Sequence, residues 1–165
     1  MNERYRKEID DLYLQMYDLL FEYARSSLSN DSLAEEAVQD TFYIACKKPE
    51  AVCESPNPKG WLVNTLKYVI SNTIRSHSTA NRILKDYFES NLSEISASND
   101  LHGIEVLYGD IAESDELKLL KEMVLDGMSH LEMAQERGIS VAACRKRIQR
   151  AKEFLRKKFN LDVTD

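Results

Sequence analysis

The chain has 165 residues, 43% of them hydrophobic and 30% charged, with a formal net charge of −6. That is apolar enough for one or two small cores and argues against a disordered chain. No apolar run approaches the roughly 20 residues that span a bilayer. Met1 to Asp11 is too charged for a signal peptide, and three irregularly spaced cysteines make no disulfide framework, so a reducing cytoplasm is the expected compartment.

Apolar residues recur at helical spacing almost throughout, and no alternating β-branched run calls for a sheet, so the expected class is all-α. Tyr5, Ile9, Leu12, Met16, Leu19 and Tyr23 mark the buried stripe of a first helix. Ser29-Asn30-Asp31-Ser32 interrupts it, and Asp31 or Ser32 caps a second helix running to about Lys48. Pro49, Pro56, Pro58 and Gly60 punctuate a loop. Trp61 opens a third helix with Leu62, Leu66, Val69, Ile70 and Ile74 on its apolar positions. From Glu89 to about Ser114 the chain is rich in Ser, Asn and acids and weakly periodic, which reads as a linker. The expected organisation is two small helical domains, 1–88 and 115–165, joined by an acidic linker, 89–114.

The second domain reads as a helix-turn-helix. Ser129 and Glu132 have capping-box spacing, the helix they start runs to Arg137, and Gly138 supplies the turn. Ser140 then caps a helix whose Val141, Cys144, Ile148, Ala151 and Leu155 form one apolar face. From Arg137 to Lys158 there are nine cations and a single acid, Glu153. From Asp86 to Leu117 there are nine acids and no Lys or Arg. The local basic surface matters more for phosphate contact than the negative total. A cationic second helix suits the DNA major groove; the plainer reading is a solvated basic helix at a chain end. Arg145, Lys146 and Gln149 project from its first turns as candidate readers of base edges, because Arg or Lys pairs with guanine and Gln with adenine. Arg147, Arg150 and Lys152 are the candidates for phosphate contacts.

The N-terminal half adds a resemblance. Ala34-Glu35-Glu36-Ala37-Val38-Gln39-Asp40-Thr41-Phe42 resembles the core-binding helix of extracytoplasmic-function sigma factors of bacterial RNA polymerase. Trp61-Leu62 followed by Arg75 resembles the family's W-L…R helix, and Gly138 to Lys152 its second DNA-binding domain. The three blocks stand in the family's order over about residues 5 to 159. Leu33, Cys46, Tyr68, Asn72 and Ala142-Ala143-Cys144 depart from the common pattern.

The resemblance implies a sigma factor that binds polymerase core and directs promoter-specific initiation. Glu35, Glu36, Gln39, Asp40 and Phe42 would then dock on a coiled coil of the largest polymerase subunit. Carboxylates around an aromatic anchor suit a basic partner; the alternative is that Val38 and Phe42 pack inside the domain. Lys59, Trp61, Asn64, Lys67, Tyr68, Asn72 and Arg75 are the candidates for the promoter −10 element. There the loop from Lys47 to Gly60 would help hold a base flipped from the non-template strand. Trp61 suits the domain core at least as well as a stacking platform, and Tyr68 either stacks or fills the core. The C-terminal helix-turn-helix would read the −35 element. The family also implies an anti-sigma protein as a further partner. The acidic linker would lie along the RNA exit path as an RNA mimic, or serve only as a tether that does not adhere to DNA.

A stand-alone helix-turn-helix regulator is the competing reading; it would bind duplex DNA without polymerase, often as a dimer. An enzyme or metal sensor is disfavoured. Cys46 and Cys53 are seven apart with no nearby His, Cys144 lies in an apolar stripe, and His77, His102 and His130 are scattered. No phosphate loop or nucleophile motif is present, so no catalytic residue, metal or cofactor is expected.

Overall fold

In the computed structural model residues 2–97 and 114–158 are described, and they form seven helices. Helix α1, Glu3–Leu28, starts where the Asn2 side chain accepts from the Arg4 N–H, and ends at Ser29, whose left-handed backbone returns its N–H to the Arg25 carbonyl. Its buried stripe is Ile9, Leu12, Met16, Leu20 and Ala24. Leu19 and Tyr23, expected in that stripe, are exposed. At 100° per residue a step of four overshoots a turn by about 40° whereas a step of three falls short by about 60°, so Leu20 rather than Leu19 follows Met16 into the core.

Helix α2, Asp31–Lys47, is capped by Asn30 rather than Asp31 or Ser32: the Asn30 side chain accepts from the Leu33 N–H at 2.9 Å. Ala34, Ala37, Val38, Phe42 and Ala45 enter the same core as α1. The expected Pro49–Gly60 loop contains a short helix, α3, Pro49–Cys53, with proline at its first position, where no N–H is required. Helix α4, Pro58–Ala97, likewise begins at a proline, before Trp61. Asn57 caps it: its side-chain oxygen accepts from the Gly60 N–H at 2.9 Å and its carbonyl from the Trp61 N–H. A Cβ on Gly60 would stand 2.5 Å from the Asn57 amide nitrogen, so the cap requires glycine there.

Two compact units result, 1–75 and 76–165. Leu62, Leu66, Val69 and Ile70 of α4 complete the first core; Ile74, expected beside them, is exposed. Ala80, Ile83, Leu84 and Tyr87 lie in the second core. The boundary expected at residue 88 therefore falls a dozen or so residues earlier. These four side chains repeat at i, i+3, i+4 and i+7, an apolar stripe in its own right, and α4 extends nine residues into the expected linker. The remainder of that linker, 98–113, lies outside the described residues, and so does its expected role as tether or RNA mimic.

The second unit is completed by α5 (Asp115–Val124), α6 (His130–Glu136) and α7 (Val141–Lys158). Ser129 and Glu132 form the expected capping box. Gly138 has φ of +60°, the left-handed turn that favours glycine. The Ser140 hydroxyl accepts from the Ala143 N–H at 3.2 Å and starts α7. Arg137 closes the turn by pairing with Glu122 of α5 and donating to the Met133 carbonyl.

Ile83 has no exposed surface. Ile83→Ala should cost the second unit about 2–5 kcal/mol. Hydrogen exchange should then show lost protection in α5 to α7 with α1 and α2 unchanged; loss in α1 and α2 would place Ile83 in the other core.

Candidate functional site

On α2, Glu35 and Gln39 are exposed and joined, the Gln39 amide donating to the Glu35 carboxylate at 3.2 Å. Asp40 is half-buried. Glu36 and Phe42, candidates for the partner surface, are buried, and for Phe42 this is the alternative of packing inside the domain. Phe42 meets the edge of Tyr13 with ring centroids 4.9 Å apart, so it is a core residue and no surface anchor. The exposed aromatic of this face is Tyr43, 61% accessible. It follows Glu35 and Gln39 at successive steps of four, a spacing that makes all three neighbours. That four-residue periodicity is the sequence signal for Tyr43.

Tyr43 also lines an open groove of about 470 Å³ between the end of α2 and the start of α4. Ile44, Trp61 and Thr65 form its apolar wall, Asn64 and Tyr68 its α4 rim, and Lys47 and Lys48 its cationic rim. The Lys47 ammonium lies 5.4 Å from the Tyr43 ring centroid, within cation–π range. Trp61 is half-buried and packs on the first core, while Tyr68 is 65% exposed and free to stack. At 100° per residue, Trp61, Asn64, Tyr68, Asn72 and Arg75 share an arc of roughly 80° on α4. Lys67 is exposed about 60° beyond that arc, and Lys59 lies in the first turn on the far side.

On α7, Lys146, Arg147, Gln149 and Arg150 are exposed and Arg145 is half-buried. Arg147 and Arg150 turn towards α5 and, with Lys118, Arg137, Asp115 and Glu116, line a cleft of about 540 Å³. Lys152 departs from expectation. It is 5% exposed, and its ammonium donates to the carbonyl and hydroxyl of Ser76 on α4, at 3.0 and 2.8 Å. Burial, reinforced by the Arg156 charge, lowers its pKa from 10.5 to about 8. It sits beside Ala151 on the flank that faces α4, where it is held as an interior donor.

Among the described residues no helix is long and apolar enough to cross a membrane. Residues 12–80 match the family model described as Sigma-70 region 2, and residues 118–155 match the one described as Sigma-70, region 4; together they cover well over half of the chain. No curated protein and no solved structure matches the chain.

Lys152 holds its proton up to about pH 10.5 when unfolded but only to about 8 when folded. Between those values unfolding takes up a proton, so stability rises with pH; below about 8 the penalty of the buried charge is fully present. The second unit should gain on the order of 2–3 kcal/mol across that window. Denaturant titrations of wild type and Lys152→Met should differ by that slope; parallel profiles would show that Lys152 titrates as in the unfolded chain.

Proposed function

The chain belongs to the sigma-70 family, with the pairing of regions 2 and 4 characteristic of extracytoplasmic-function sigma factors, and from this we infer how its surfaces divide the work of initiation. It is a sigma factor that acts in promoter recognition and transcription initiation, with RNA polymerase and promoter DNA as its partners. Sigma factors are regulators without enzymatic activity of their own.

The proposed polymerase surface is the α2 face of Glu35, Gln39 and Tyr43 with Asp40 at its edge, docked on a coiled coil of the largest subunit. Acids around an exposed aromatic steer a basic partner and then give it buried area. The proposed −10 surface is the α4 face of Trp61, Asn64, Tyr68, Asn72 and Arg75 with the adjoining groove. There Tyr68 or Tyr43 stacks on an unpaired base while Lys47, Lys48, Lys67 and Arg75 meet the backbone. The proposed −35 reader is α7, with Lys146 and Gln149 towards base edges and Arg147 and Arg150 towards phosphates. An anti-sigma protein would act by covering these faces. The proposed compartment is the cytoplasm, where RNA polymerase works.

The observation that carries this reading is the aromatic and cationic groove beside the polar face of α4. A regulator that reads only duplex DNA has no use for a platform suited to unpaired bases. Two outcomes test it. With core polymerase, Tyr68→Ala should leave duplex promoter binding intact but reduce strand opening, read by permanganate reactivity of unpaired thymines, by roughly tenfold. Equal opening by wild type and variant would remove the groove from the melting step. The double variant Glu35→Lys, Gln39→Lys should bind core at least about tenfold more weakly. Tight binding of the isolated chain to a palindromic duplex, with no core-dependent transcripts, would instead favour the stand-alone regulator.

A further inference from the structure

The outermost row of α7 is Lys146, Gln149 and Glu153, at i, i+3 and i+7 and all exposed. The Gln149 amide nitrogen donates to a Glu153 carboxylate oxygen at 2.9 Å. Glu153 is the one acid among the cations from Arg137 to Lys158. A carboxylate on a face that approaches phosphates is repelled by them, and an exposed pair four residues apart adds little to helix stability. Its place calls for a reason other than affinity or folding.

A carboxylate only accepts hydrogen bonds, so Gln149 must turn its amide nitrogen towards Glu153. The amide oxygen is thereby aimed away from Glu153, and one N–H remains for another partner. Unconstrained, a glutamine amide rotates and offers either end to a base; here the acceptor end is set, and the second carboxylate oxygen adds another acceptor beside it. In the major groove the complementary donors are the exocyclic amines, N6 of adenine and N4 of cytosine. Guanine and thymine present O6 and O4 there, which only the single remaining N–H could meet, while the amide oxygen and the free carboxylate oxygen both face them acceptor to acceptor.

We infer that Glu153 is a specificity-determining residue, which orients the Gln149 amide so that α7 selects adenine or cytosine at the base under the pair and rejects guanine and thymine. This rests on α7 being the −35 reader. Glu153 acts through Gln149 as a positioning residue and by its own remaining oxygen as an acceptor.

The test uses the full chain bound to core polymerase and a promoter pool randomised across the −35 element, with retained DNA sequenced. Wild type should enrich adenine or cytosine at one position by roughly tenfold. Glu153→Gln keeps the side-chain shape but can itself donate; it should abolish that enrichment and retain guanine and thymine, with preferences at all other positions unchanged. Gln149→Ala should weaken the same preference, and adding Glu153→Gln to it should remove what remains. An unaltered preference in Glu153→Gln, while wild type still selects a −35 sequence, would overturn the inference and leave the −35 reading standing. Absence of any −35 preference in wild type would overturn that reading and this inference together.

Discussion

Helix α4 is used by two cores at once: Leu62, Leu66, Val69 and Ile70 fill the first, and Ala80, Ile83, Leu84 and Tyr87 the second. Between them, from Ser71 to Thr79, no apolar side chain is buried. A helix that must satisfy two cores needs such an interval, because one continuous stripe would have no reason to change partners. The interval is therefore free to be polar, and Asn72 and Arg75 take their places there beside Ser76. The position of the proposed −10 face follows from this packing constraint: it begins on the first core at Trp61 and runs out where that core stops.

Electrostatics separates the two faces of α7 in a similar way. Lys146, Gln149 and Arg150 are held outward because Cys144, Ile148, Ala151 and Leu155 are fully buried or nearly so. A helix this cationic has some basic residue next to its apolar stripe, and Lys152 is that residue. Its ammonium is tolerated because the Ser76 hydroxyl and carbonyl replace part of its water. The charge still costs stability, which the lowered pKa reflects. The arrangement joins the basic helix to α4 through a polar contact beside the second core.

Much of this was legible in the sequence wherever local chemistry settles structure. The capping box at Ser129, the left-handed Gly138 and the start at Ser140 are all decided within a few residues, and each stands where the sequence put it. The all-α class and the order of regions were likewise readable from period and motif. What escaped was what tertiary packing decides. Leu19 and Leu20 are equally apolar, and the packing of α1 on the first core takes Leu20, the one that stays in line with Met16. Phe42 and Tyr43 are adjacent aromatics, and the motif drew attention to the one that is buried. Residues 76–87 carry a clear apolar stripe, but no sequence pattern says which core receives it. The burial of Lys152 was not legible because charge along α7 does not say which flank α4 occupies.

Tyr43 stands on the proposed polymerase face by its spacing from Glu35 and Gln39, and it also lines the groove proposed for an unpaired base. Those two surfaces are then not independent sites but share a side chain, and a shared side chain gives a coupling free energy. Whichever ligand first fixes the Tyr43 ring removes ordering entropy that the other would otherwise have to overcome. If both ligands order that ring, then by thermodynamic reciprocity core polymerase would raise affinity for the melted strand by the same factor as the melted strand would raise affinity for core. The factor would be modest, since only one ring is shared. On this reading the capture of single-stranded DNA is linked to holoenzyme assembly through one aromatic residue.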